Sequence, residues 1–169
     1  MPKISPFSWF DTQAEEAVNF YISVFNEAPH TQQDSRIVSI ARYEKGMEVP
    51  GAEQMEGKVL TAIFELSGQK FMALDGGPIF KFNEAVSFQV NCDSQEEVDY
   101  FWSKLSEGGD KNAQQCGWLK DKFGASWQIV PRGMAEMLAG DPTKARRAFE
   151  VMMEMKKLDI NELRRAYNA

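Results

Sequence analysis

The chain has 169 residues, enough for one domain with a sizeable core, and 19 Lys and Arg against 25 Asp and Glu leave a formal net charge of −6. That acidic balance disfavours nucleic acid and anionic membrane surfaces as partners, and no apolar run approaches the roughly 20 residues needed to cross a bilayer. Met1-Pro2-Lys3-Ile4 leads into a strand rather than a signal-peptide core. Two cysteines, Cys92 and Cys116, make neither a disulfide framework nor a zinc spacing, and free buried thiols fit a reducing compartment, so a cytoplasmic location is expected.

In chain order, Ile4 to Asp11 reads as a strand, with Phe7 and Trp9 on one face and Pro6, Ser8 and Phe10 on the other. A helix from Ala14 to Phe25 buries Ala17, Val18, Tyr21 and Phe25 at helical spacing. Arg36 to Tyr43 alternates weakly as a strand. Glu44 to Gly57, rich in Gly, Pro and Glu, reads as a loop placed over whatever the sheet encloses. Lys58 to Leu66 and Gln69 to Asp75 form a hairpin around Ser67-Gly68. Val86, Phe88 and Val90 alternate with Ser87, Gln89 and Asn91 as the next strand. The Ser94/Glu97 capping box then opens a helix to Ser106, with Val98, Phe101, Trp102 and Leu105 on its apolar face, and Gly108-Gly109 ends it. Two short strands, near 117 to 120 and 125 to 130, flank the turn-like Asp121-Lys122-Phe123-Gly124. Beyond Pro131 the pattern turns helical: 134 to 139, then 144 to 157 with Pro142 early, then a last helix capped by Asp159. Its Met-rich stripe packs on its own domain or on a second subunit.

Asp11-Thr12-Gln13-Ala14-Glu15-Glu16-Ala17-Val18 echoes Asp93-Ser94-Gln95-Glu96-Glu97-Val98, both directly after a strand, and the Thr12/Glu15 pair repeats the capping box. Gly68 to Asp75 likewise matches Gly124 to Pro131 as a closing strand introduced by glycine. The chain therefore reads as an α+β protein made of two copies of one β-α-β-β-(β) module. Residues 1–139 form one domain of two modules, about 1–77 and 78–139, and 140–169 form a helical extension.

Residues spread over nearly the whole chain carry a resemblance. Phe10-Asp11, Phe20-Tyr21, Phe71 to Gly77, Phe82-Asn83-Glu84-Ala85, Gln115 to Gly124, Trp127 to Pro131 and Met155 to Ile160 closely resemble the PhnB-like family. That family lies in the vicinal oxygen chelate superfamily, with glyoxalase I, bleomycin-resistance proteins and extradiol dioxygenases. The resemblance implies two βαβββ modules whose sheets curve around a shared cleft, often in homodimers. Family members are often labelled 3-demethylubiquinone 3-methyltransferases. No methyl-donor cradle of strand, glycine-rich turn and helix is visible here, since Gly76-Gly77 leads to Pro78 and another strand. No cofactor is expected.

Many superfamily enzymes hold a divalent metal in the cleft, and the four positions that usually supply its ligands align with Pro6, Met72, Ala85 and Gln128. Only Gln128 could bind such a metal, through its amide oxygen, whereas catalytic sites need about three protein ligands. The single histidine, His30, reads as a surface residue, Glu65 as a solvent-facing or edge carboxylate, Asp75 as a turn residue and Cys116 as a buried structural thiol. The cleft is then lined by Ser8, Phe10, Met72, Ser87, Gln89 and Gln128, with Trp118 at its rim. Such a surface suits a small, partly aromatic organic molecule better than acid–base or Lewis-acid chemistry, unless these residues simply fill a closed core. The sequence leaves catalysis itself open. The expectation is a ligand-binding, dimeric, metal-free protein; the alternatives are a metal-dependent lyase, isomerase or dioxygenase using Gln128 and Glu65, and the methyltransferase of the family label.

Overall fold

The computed structural model describes residues 4–30, 34–47 and 52–169. The chain divides into two compact units, Met1–Phe82 and Asn83–Ala169.

In the first unit, β1 (Phe7–Phe10) leads into α1 (Ala14–Asn26), followed by β2 (Arg36–Arg42), β3 (Val59–Leu66) and β4 (Gln69–Asp75). The sheet order is β1-β4-β3-β2, with β1 parallel to β4 and the other pairs antiparallel. Joining neighbouring parallel strands requires a crossover, and α1 begins it. The β3–β4 hairpin turns through Ser67 and Gly68 at φ 45° and 81°, both left-handed as a two-residue hairpin matched to the strand twist requires. At the far end of α1, the Asn26 side chain accepts from the Ser35 amide (2.7 Å) and donates to the Ser35 carbonyl (2.9 Å), fastening the helix to the start of β2.

α1 packs on β3 and β4 and buries Ala14, Ala17, Val18, Tyr21, Val24 and Phe25. The Thr12/Glu15 capping box expected at its start does not form. Instead Asp75, 1% exposed at the end of β4, accepts from the Ala14 amide through Oδ1 (2.8 Å) and from the Val59 amide through Oδ2 (2.9 Å). Glu15 turns outward to meet Arg42 in two hydrogen bonds of 2.7 and 2.8 Å. The hydrogen bond to that guanidinium holds the Glu15 carboxyl below its ordinary pKa. Asp75 is thus a long-range helix cap and a pin for β3 at once, a larger role than the turn residue expected of it.

In the second unit, β5 (Phe88–Cys92) leads into α2 (Gln95–Ser106), β6 (Trp118–Lys120) and β7 (Ser126–Pro131), with order β5-β7-β6 and β5 parallel to β7. The first-strand-beside-last-strand arrangement of the first unit recurs. Among the described residues of this unit, the strand corresponding to β2 is replaced by a short 3-10 turn at Lys111–Ala113 and a single bridge between Gln115 and Trp118. Here the capping box does form: Ser94 Oγ accepts from the Glu97 amide (3.2 Å), and the Glu97 carboxylate reaches back to the Asp93 amide (2.6 Å). Asp121, 2% exposed, is the buried carboxylate of this unit. Its Oδ1 accepts from the amides of Phe123 and Ala125, and its Oδ2 accepts from the Trp127 indole at 2.8 Å.

The tail, α3 (Met134–Ala139), α4 (Pro142–Glu154) and α5 (Ile160–Asn168), belongs to this second unit. Asp141 and Asp159 cap α4 and α5 as the sequence suggests. Met152, Leu158 and Leu163 form a core joined by Cys116, Met134, Met137, Leu138 and Met155, so the Met-rich stripe packs within its own chain. The Gln95 side chain clasps the tail, accepting from the Ile160 amide and donating to the Leu158 carbonyl.

Removing the Asp75 carboxylate leaves two buried amides without acceptors. We expect Asp75→Ala to cost about 2–5 kcal/mol, a fall in Tm of roughly 5–15 °C, with Asp75→Asn milder because one acceptor survives. A calorimetric melt of Asp75→Ala that overlays the wild type would remove this carboxylate from its place in the fold.

Candidate functional site

The second sheet presents two unlike faces. Phe88, Trp127 and Leu119 lie in register, as do Val90 and Ile129, and these side chains face the core beneath α2. The opposite face carries Gln89, Gln128 and Trp118 in one row across β5, β7 and β6. Gln128 donates through Nε2 to Ser87 Oγ (2.8 Å), and Gln89 donates through Nε2 to Asn91 Oδ1 (2.7 Å). Gln128, Trp118 and Ser87 are half-buried and Gln89 is exposed. Strand register and the Gln128–Ser87 hydrogen bond therefore bring Ser87, Gln89, Gln128 and Trp118 together on one face.

The first sheet corrects the sequence reading in β1. Parallel pairing sets Ser8 against Ala73 and Phe10 against Asp75. Ser8 and Phe10, 8% and 4% exposed, therefore share the face of the carboxylate that caps α1 and are not on the outer face. Phe7, Met72 and Ile63 occupy the outer face in one row, with Trp9 and Leu74 beside them. Met72 is thus on the expected face, half-buried, while Ser8 and Phe10 are not. The inversion has a physical cause. Trp9 tolerates an outer position because its ring lies over Gly76, its indole donates to the Gly77 carbonyl (2.9 Å), and Phe80 stacks edge-on at 5.0 Å. Phe10 is packed by Phe82, with ring centroids 5.2 Å apart. A Cβ at Gly76 would overlap the Trp9 ring, so this glycine serves aromatic packing.

The remaining reactive groups are accounted for elsewhere. His30 is exposed in the turn after α1. Glu65 lies in register between Arg36 and Lys70 and forms an ion pair with Arg36 at 3.1 Å. Cys116 is half-buried rather than fully buried; its φ is 51° and its thiol lies 3.7 Å from the Met153 sulfur. Cys92 is fully buried, and burial, reinforced by the Glu97 and Asp93 charges, pushes its thiol up to about 12. A groove of about 710 Å³ runs beside the start of α1, lined by Gln13, Glu15, Glu56 and Lys58 among others. Two of its carboxylates, Asp75 and Glu15, already have partners in backbone amides and Arg42. Nothing in the sequence pattern marked this groove, because it arises from the approach of the residue 56–58 turn to the helix.

The residues at the expected metal positions do not fit a divalent ion. Pro6 and Ala85 have no donor side chain, Met72 offers only a soft thioether, and the Gln128 amide is a weak ligand on its own. Among the described residues, no group of three or more His, Cys, Asp or Glu side chains is gathered in one place.

Two modules, each carrying a helix on a small mixed sheet whose first and last strands run parallel, define a glyoxalase-like α+β fold. The chain belongs to the PhnB-like family described as 3-demethylubiquinone-9 3-methyltransferase, whose model matches residues 2–130. It is similar to the Bacillus cereus PhnB protein given that same description, with 38% identity, TM-score 0.63, and coverage of 77% of this chain and 99% of that one. Protein PA1353 from Pseudomonas aeruginosa shares the fold at 20% identity and TM-score 0.61, covering 78% and 98% of the two chains. The fosfomycin resistance protein FosX from Mesorhizobium loti does so at 12% identity and TM-score 0.54, covering 83% and 99%. No curated protein matches the chain. Among the described residues no helix is long and apolar enough to cross a membrane.

The Cys92 thiol gives a direct chemical check. We expect iodoacetamide at pH 8 to leave Cys92 unmodified in the folded protein and to alkylate it in urea, as read by peptide mass mapping. Because its folded pKa stands above the ordinary 9.0, the stability linked to this thiol is intact below pH 9 and declines as pH rises toward about 12. Alkylation of Cys92 in the folded state at pH 8 would contradict its burial.

Proposed function

We propose that this chain is a member of the vicinal oxygen chelate superfamily that binds a small, partly apolar organic molecule and uses no divalent metal centre. The observation that carries this reading is the row Gln89, Gln128 and Trp118. At the position that the family resemblance aligns with a superfamily metal ligand, this chain has a carboxamide that donates to Ser87, flanked by a second carboxamide and an indole. Such a surface holds a ligand by packing and a few uncharged hydrogen bonds. On the first sheet, the outer row of Phe7, Met72 and Ile63 supplies apolar surface of the same character.

The chain acts as a homodimer in the cytoplasm on this reading. Large apolar side chains stand exposed on both units, including Ile79 and Phe80 on the first and Val86 and Phe149 on the second, and such surface favours self-association. Both cysteines are free thiols, which suits a reducing compartment. The net charge of −6 continues to disfavour nucleic acid and anionic membranes as partners.

The methyl transfer in the family description finds little support in these residues. In the double glycine after β4, Gly76 lies under the Trp9 ring and the Gly77 carbonyl accepts from its indole, and among the described residues no strand, glycine turn and helix are arranged to hold a nucleotide.

The deciding experiment is metal analysis of protein purified without chelator, with thermal-shift titration against Zn²⁺, Ni²⁺, Mn²⁺, Fe²⁺ and S-adenosylmethionine. We expect well under one metal per chain and no saturable stabilisation by any of the five. A tight ion whose stabilisation follows mass action and disappears in Gln128→Ala would establish a metalloenzyme of the superfamily instead. Saturable stabilisation by S-adenosylmethionine would favour the methyltransferase.

A further inference from the structure

The outer face of the second sheet has already formed some of its own hydrogen bonds, and what those leave over is specific. Gln128 gives an amide hydrogen to Ser87, so its Oε1 remains as an acceptor beside the Ser87 hydroxyl hydrogen. Gln89 gives an amide hydrogen to Asn91, which leaves the Gln89 Oε1 acceptor beside the Asn91 Nδ2 donor. The two glutamines are in register on neighbouring strands, so two uncharged donor–acceptor pairs stand side by side. Trp118 borders them on β6. Two positions before Gln128 on β7, and so on the same face, the Ser126 hydroxyl is 3% exposed and has no hydrogen-bond partner.

Charge on this face is spent. Lys120, in register with Ser126, is ion-paired with Glu84. An anionic ligand would meet two carboxamide oxygens and the Glu84 carboxylate, while the nearest cation is engaged. A ligand with adjacent N–H and C=O groups would give its hydrogen to Gln128 Oε1 and accept from Ser87, with a planar ring against the Trp118 indole.

Resting on the ligand-binding reading above, we infer that this face selects neutral, planar molecules carrying an adjacent N–H and C=O, such as aryl carboxamides, lactams or cyclic imides, and rejects carboxylates and phosphonates. The selection is electrostatic and geometric, because each polar group of the ligand replaces water on a partner that would otherwise be left desolvated.

The test uses benzamide and benzoate as a matched pair, equal in shape and different in charge and donor content. Both are titrated into the full-length protein by ¹H–¹⁵N NMR, following the side-chain amides of Gln89, Gln128 and Asn91 and the indole of Trp118. Benzamide should shift these four signals saturably and bind at least about tenfold more tightly than benzoate, a difference of about 1.4 kcal/mol. Trp118→Leu should weaken benzamide binding while leaving the wild-type pattern of backbone signals. Benzoate binding as tightly as benzamide would overturn the inference. If uncharged apolar probes such as naphthalene move these signals and neither member of the pair does, the carboxamide inference fails and the wider ligand-binding reading stands. If no aromatic probe moves them, both fail.

Discussion

A buried carboxylate at the end of β4 holds the first unit together. Asp75 reaches the first amide of α1 with one oxygen and the first amide of β3 with the other, while its own carbonyl accepts from the Tyr43 hydroxyl at 3.0 Å. A polar side chain this deep is accommodated because both oxygens are hydrogen-bonded and one faces the positive end of a helix. The position of α1 over the sheet, and thus which face of β1 is covered, follows from that contact. In the second unit a different position supplies the buried carboxylate: Asp121, in the turn before the closing strand, satisfies that turn and the Trp127 indole, whereas Asp75 ends the closing strand of the first unit.

The same constraint separates buried from outer-face chemistry. The buried carboxylates and the Cys92 thiol are tied into the framework, and the outer faces carry the Glu65–Arg36 pair and Lys120, paired with Glu84, beside carboxamides, hydroxyls, a thioether and aromatic rings. On the second sheet the row of Gln89, Gln128 and Trp118 presents two carboxamides and an indole. The orientation of each carboxamide is set by a neighbour on the sheet, Ser87 for Gln128 and Asn91 for Gln89.

Much of this was legible along the chain. The helices α1 and α2 begin and end close to where apolar periodicity and glycine placed them, and the Ser94/Glu97 box forms because all its partners lie within a few residues. The β3–β4 hairpin is specified by Ser67-Gly68, whose left-handed backbone suits a two-residue turn. On the second sheet, Val90, Trp127 and Ile129 alternate with Gln89, Asn91 and Gln128 across paired strands, although Ser126 and Val130 on the Gln128 side are buried as well. In β1 the same rule failed: Phe7 and Trp9 are large and apolar yet face outward, where Gly76, Gly77 and Phe80 accommodate the Trp9 ring.

The sequence by itself determined the local elements, the duplication, the family and the neutral composition of the outer face of the second sheet. These depend on periodicity, turn chemistry and residue type, which act over a few positions. Only the tertiary structure decided that Asp75 caps a helix 61 residues away, that Glu15 turns from its expected cap to Arg42, and that Ser8 and Phe10 are covered. Each of those outcomes depends on which strand pairs beside which. A parallel pairing between the first and last strands of a module brings together residues whose separation along the chain carries no local signal.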